Sequence, residues 1–291
     1  MKKKMNILLA ALIVLCVAAF VGYRMLDRIR TDTKPPQITL GSETPQLSVN
    51  DPREVLLSGV SATDNKDGNV TDSLVIENIS LLDNSGRLSV SYAAFDKAGN
   101  VAKAQREAVF TDYVSPRFTL KQPLLFRSGV NFDVLTIVDA IDLFDGDIQH
   151  RIRATLLEGT SISSVGTHDV QFQVSNSLGD TVTLVFPVEV YDAKTYDAEL
   201  ALTDYLIYLK VGDSFRASDY LNSFTLLGES TNLSTRLPSG FSLNTQGTVD
   251  TNTPGVYPVE YRVTYTERNL TNPDLDRKYD SYSKLIVVVE G

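Results

Sequence analysis

One phrase of nine residues is written twice in this chain: Ala62–Val70 reads ATDNKDGNV and Ala140–Ile148 reads AIDLFDGDI, 78 residues apart. The phrase belongs to a longer repeat. TDTKPPQITL from Thr31 and TDYVSPRFTL from Thr111 share Thr, Asp, Pro, Thr and Leu at an offset of 80, and Asp192 and Leu200 carry that offset into a third copy. GRLSVSYAAFDKAGNV from Gly86 matches GTHDVQFQVSNSLGDT from Gly166 at the same offset, and GVYPVEYRVTY from Gly255 is a third version delayed by an insertion. A fixed period of this kind marks a chain assembled from copies of one supersecondary unit. The copies span 34–114, 115–192 and 193–291. The third is longer and divergent and lacks the acidic phrase.

Each copy reads as β. Leu88, Val90, Tyr92 and Ala94 alternate with Arg87, Ser89, Ser91 and Ala93, and the same period recurs at Val170, Phe172, Val174 and at Tyr257, Val259, Tyr261, Val263. Period two places one side of a strand on a core and the other in water. Gly, Asn, Asp and Pro clusters punctuate the strands at the spacing of a sandwich. About seven short strands in ~80 residues predict an immunoglobulin-like sandwich. The fold class expected is all-β, with three tandem immunoglobulin-like β-sandwiches after one N-terminal transmembrane helix. The first two copies are expected to fold as self-contained units without a disulfide, since the lone cysteine, Cys16, lies in an apolar run.

That run decides location. From Met5 to Tyr23 only Asn6 is clearly polar. At 1.5 Å per residue, ~19 residues cross the roughly 30 Å hydrocarbon core. The plan is a short cytoplasmic segment (1–4), a membrane anchor (5–26) and a linker (27–33), with the body outside the cell. A cleaved signal peptide competes with this reading, but such segments have shorter apolar cores and end in a small-x-small site, which Phe20-Val21-Gly22-Tyr23 does not supply. Lipoprotein processing needs a small residue before Cys16, where Leu15 stands. Six basic residues and one acidic residue fall in 1–30, leaving 21 basic against 35 acidic in the rest, a charge of −14. A body so acidic repels nucleic acid and anionic headgroups.

ATDNKDGNVTDSL, the Gly-x-x-x-Val strand after it, and FDKAGNVAK together resemble the bacterial immunoglobulin-like repeats of Gram-positive cell-surface proteins, of hyalin-repeat or cadherin-like type. The third copy resembles the same family through YLKVGDSF and VDTNTPGVYPVEYRV. The resemblance implies a surface spacer or an adhesion and binding module, with a protein or cell-wall polysaccharide ligand, and no enzyme. An accessory subunit of a cell-envelope enzyme or export complex is the alternative.

The acidic phrases admit two readings. Asp64, Asp67 and Asn69, and likewise Asp142, Asp145 and Asp147, offer the oxygens that Ca²⁺ takes from flexible loops. The spacing differs from the EF-hand pattern. A tight turn explains the phrase without any ion, because Asp-Gly supplies the positive φ and an Asp side chain bonds the backbone. The turn is the preferred reading, with no cofactor required. Ser281-Tyr282-Ser283-Lys284 matches S-x-x-K, but its companion motifs are missing. Leu226–Gly247, the insertion in the third copy, is the expected docking loop, because loops carry function.

Overall fold

In the computed structural model the described residues are all but Met1, Thr160, Ser161, 193–197, Leu270 and Asn272. The chain opens with helix α1 (Lys2–Arg30), whose predominantly apolar 18-residue window Leu9–Leu26 is long enough to cross a membrane and is covered by no other described residue. Three β-sandwiches follow.

The first contains β1 (Gln37–Leu40), β2 (Gln46–Leu47), β3 (Val60–Asp64), β4 (Gly68–Asn69), β5 (Val75–Leu81), β6 (Arg87–Phe95) and β7 (Val101–Phe110). Its sheets run β1-β3-β4 and β2-β7-β6-β5. The second contains β8 (Arg117–Leu120), β9 (Leu125–Arg127), β10 (Val138–Asp142), β11 (Gly146–Asp147), β12 (Arg153–Leu156), β13 (Gly166–Ser175) and β14 (Thr181–Tyr191), in sheets β8-β10-β11 and β9-β14-β13-β12. The third contains β15 (Glu199–Leu202), β16 (Leu206–Lys210), β17 (Leu221–Leu226), β18 (Glu229–Asn232), β19 (Phe241–Gln246), β20 (Gly255–Glu267) and β21 (Arg277–Glu290), in sheets β15-β17-β18 and β16-β21-β20-β19. Every sandwich is thus three strands on four. In each, the second strand leaves its neighbours' sheet and pairs in parallel with the last strand: β2 with β7, β9 with β14 and β16 with β21. This immunoglobulin-like plan, repeated three times, is what the 80-residue period encodes.

Alternation places the cores as expected. Leu88, Val90, Tyr92 and Ala94 are fully buried in the first sandwich, Phe172 and Val174 in the second, and Val259, Tyr261 and Val263 in the third. Two features differ from the sequence expectation. The insertion Leu226–Gly247 is not a free loop. It builds β18 and edge strand β19, and β17 turns into β18 through Leu227 (φ 52°) and Gly228 (φ 86°), a two-residue hairpin. Positive φ at both central positions is the geometry that matches the twist of paired strands.

The second difference concerns independence. The chain divides into two compact units, Met1–Tyr113 and Val114–Gly291, so the second and third sandwiches form one body. Strand β21 explains this. Leu285, Val287 and Val289 face the third core, whereas Ile286 and Val288 lie in the core of the second. A strand buried on both faces reads as an unbroken apolar run. Polar contacts accompany the shared core. The Lys284 ammonium lies 2.6 Å from the Glu189 carboxylate, and the Tyr282 hydroxyl donates to the same carboxylate at 2.7 Å. Arg117 pairs with Glu290 and lies over the Tyr208 ring at 4.8 Å, and the Phe118 amide donates to the Tyr208 hydroxyl at 2.9 Å. The S-x-x-K match is therefore structural: Ser281 Oγ donates to the Ala198 carbonyl at 2.7 Å, and Lys284 is an ion-pair partner.

Candidate functional site: the acidic ends of the first two sandwiches

The twice-written phrase forms the same turn in both sandwiches, and each polar residue in it has a separate structural task. Asp64 ends β3, and its Oδ1 accepts from the amides of Lys66 (2.7 Å) and Asp67 (2.9 Å). Asp142 ends β10 and does the same for Phe144 (2.9 Å) and Asp145 (2.8 Å). The chain then reverses onto β4 or β11 through Gly68 (φ 73°) and Gly146 (φ 72°). The second Asp fastens a neighbouring loop. Asp67 Oδ2 accepts from the Lys97 amide at 2.8 Å, and Asp145 accepts from the Ser177 amide and hydroxyl, both at 2.6 Å. The third position starts a short 3₁₀ turn: Asn69 accepts from the Thr71 amide at 3.0 Å and Asp147 from the Gln149 amide at 2.9 Å.

These bonds shape the electrostatics. The amides of Asp67 and then Lys66 hold the Asp64 carboxyl below its ordinary value of 3.8. Burial pushes Asp145 upward, but the Ser177 hydroxyl, the Ser177 amide and Arg151 outweigh it and leave this carboxyl low as well.

The predicted ligand residues are therefore distributed as follows. Asp67, Asn69, Asp145 and Asp147 point into turn and loop bonds. The carboxylates that converge are Asp64 with two residues that sequence reasoning did not single out, Asp32 and Asp96, one oxygen of each lying within 4.8 Å of the others. Asp32 follows α1 by two residues, and Asp96 follows β6. The signal that could have found them is the repeat alignment itself. Asp32 aligns with Asp112, Asp96 with Asn176 and Asn100 with Asp180. In the second sandwich Asn176 Nδ2 donates to Asp142 Oδ2 at 3.1 Å, while Asp112 is engaged by Ser48 Oγ (2.6 Å) and the Val49 amide (2.8 Å). Three carboxylates meet in the first sandwich where the second has an Asp–Asn pair.

Because Gly68 has open space where a Cβ would stand, a substitution there is opposed by its backbone angle alone. Gly68→Val is expected to destabilise the first sandwich by about 1–3 kcal/mol, and Asp67→Asn by less than about 1 kcal/mol, since an amide oxygen can still accept from Lys97. Denaturant titration of the two variants checks this order. Equal or inverted losses would contradict the turn account.

Comparison with known proteins adds little to the geometry. No family model matches the chain. It is 31% identical over 136 residues to an uncharacterized 81.3 kDa protein of Acholeplasma phage L2, a match that covers 44% of this chain and 18% of that protein. The chain thus spans under a fifth of that relative's length. Among solved structures, it aligns with the CBM51-2 (in complex with GlcNAc) and INT domains of Clostridium perfringens ZmpB at 20% identity, covering 56% of this chain and 30% of the other with a TM-score of 0.21. It also aligns with Drosophila N-cadherin EC1-4 at 12% identity, covering 89% and 76% with a TM-score of 0.22. The fold assignment rests on the strand order and pairing described above.

Proposed function

We propose that this chain is a single-pass membrane protein whose three immunoglobulin-like sandwiches stand outside the cell as a spacer carrying an adhesion or binding surface, without catalysis. The observation that carries this reading is α1. Its window Leu9–Leu26, apolar but for Arg24, is exposed, and no other described residue covers it. Such a surface is stable in hydrocarbon, where a helix satisfies its own backbone groups, and unfavourable in water. The body beyond it carries −14, which disfavours nucleic acid and the anionic membrane surface as ligands. A surface protein or a cell-wall polysaccharide is the class of partner this reading assigns. The bacterial, Gram-positive surface setting belongs to the same proposal and follows from the resemblance of the repeats.

Anchoring is tested by fractionation. The full chain should remain in the membrane pellet through high salt and alkaline carbonate, with Edman sequencing of the mature protein reading from the initiator region. A mature N-terminus beginning after Val17 or Gly22, together with release into the supernatant, would make the helix a cleaved signal.

A further inference from the structure

One inward-facing position of the last strand is filled differently in the three sandwiches. Arg106 stands on β7 opposite Val90, Phe186 on β14 opposite Val170, and Leu285 on β21 opposite Val259. Phe186 and Leu285 are fully buried in apolar cores. Phe186 packs with Phe118 and Phe172 at centroid distances of 5.9 and 5.5 Å. The first sandwich has Ile38, Tyr92 and Arg106 at those three places. One ring has become an aliphatic side chain and another a cation, and a cleft of about 810 Å³ borders Arg106. Its walls are the connection from β1 to β2, with Ser42, Glu43 and Thr44, and the segment before β3, with Val55. A volume of this order suits a small ligand.

The Arg106 guanidinium is held in place but not neutralised. Its Nε donates to the Tyr92 hydroxyl at 2.9 Å, and its Nη2 donates to the carbonyls of Leu56 (2.6 Å) and Ser58 (2.9 Å). Arginine has five N–H donors, so the two left over are both on Nη1. Its partners among the described residues are these three neutral oxygens, and no carboxylate pairs with it. A half-buried cation with only neutral partners is incompletely compensated. Building on the binding role assigned above, we propose that this cleft takes a saccharide bearing a single carboxylate. The acid meets Arg106 Nη1, and the sugar hydroxyls meet Ser42, Glu43, Thr44 and Gln46. Charge-assisted bonds are roughly twice as strong as neutral ones, so the carboxylate sets the orientation. Glu43 is exposed on the rim, and with a body charge of −14 it opposes a polyanion. Hydroxyl, amide and carboxylate groups in the lining match a ligand rich in hydroxyls. Residues 41–45 and 53–59 lie in no strand, so these walls offer no edge on which an extended peptide could pair.

The test is an NMR titration of the full chain in detergent micelles with the disaccharide of N-acetylglucosamine and N-acetylmuramic acid, which carries one lactyl carboxylate. Diacetylchitobiose, the same sugar backbone without that carboxylate, is the neutral control, and acetyl-triglycine supplies a peptide carboxylate. Wild type should bind the acidic disaccharide at least tenfold more tightly than either. Arg106→Leu copies the residue of the third sandwich, so it should fold with a cooperative melt and lose at least tenfold in affinity. Ser42→Trp fills the cleft from its exposed wall while Arg106 stays, and it should lose as much. Equal binding of the acidic and neutral disaccharides would overturn the proposal, as would unchanged affinity in folded Arg106→Leu. Acetyl-triglycine bound as tightly as the acidic disaccharide would overturn the saccharide assignment. Failure of every probe to bind would overturn the proposal as a whole and leave the anchoring, which fractionation tests, untouched.

Discussion

Replacing Glu189 with Ala should cost the C-terminal unit about 3 kcal/mol, as expected when one partner of a buried ion pair is removed. Lys284 is only 3% exposed, so its ammonium depends on the protein for solvation. Glu189 is its near partner at 2.6 Å, while the more exposed Glu260 lies at 3.8 Å and compensates weakly. The same substitution removes the Glu189 acceptor of the Tyr282 hydroxyl and leaves it the Glu260 side chain. Burial first, and the hydrogen bond to Glu189 second, hold that hydroxyl well above its ordinary ionisation range, so it stays a neutral donor. Glu189→Ala combined with Lys284→Met should recover most of the loss, because the uncompensated charge is then gone. Denaturant titrations of the single and double variants measure both values. A single-variant loss under about 1 kcal/mol would show that solvent reaches the ammonium and that the pair is a surface contact.

The second large effect is expected at Phe118. This ring is fully buried, edge-on to Phe172 and Phe186 with centroids at 6.3 and 5.9 Å. Phe118→Ala leaves a cavity and should cost about 3–5 kcal/mol. Its reach is the informative part. Ile286 and Val288 from the last strand lie in the same core, and Leu285 and Val287, which alternate with them, belong to the third core. Destabilising the second sandwich should therefore release protection in β20 and β21 of the third. Hydrogen exchange resolved by peptide would show amides of both sandwiches losing protection together. If β20 and β21 keep wild-type protection while β13 and β14 lose theirs, the two sandwiches unfold separately.

Much of the fold was legible because local rules and the repeat agreed. Alternation at Leu88–Ala94 and Val170–Val174 gave strands, and the Asp-Gly turns gave their reversals. The shared core was partly legible. The run from Leu285 to Val289 lacks alternation, which is the mark of a strand covered on both faces. The covering surface could not be read, since Glu189 and Lys284 stand 95 residues apart. The insertion in the third sandwich was hidden for a different reason. Leu227-Gly228 makes a two-residue hairpin without the usual Asn or Asp at its first position, so the turn gave no sequence signal. The acidic site was half legible. Asp64 stood out within its phrase, but Asp32 and Asp96 converge on it only through the fold, at sequence separations that match no ligand motif. The turn chemistry consumed the residues that looked most like ligands.

The measurement that bears most directly on the account as a whole is amine labelling of intact cells that express the full chain, with a reagent that cannot cross membranes. Lys97 lies in the first sandwich with 84% of its side chain exposed, and Lys3 precedes the apolar window of α1. Peptide mapping should find the label on Lys97 in intact cells and on Lys3 only after lysis. Label on Lys3 in intact cells, or on Lys97 only after lysis, would place the sandwiches inside and contradict a membrane-anchored extracellular repeat protein.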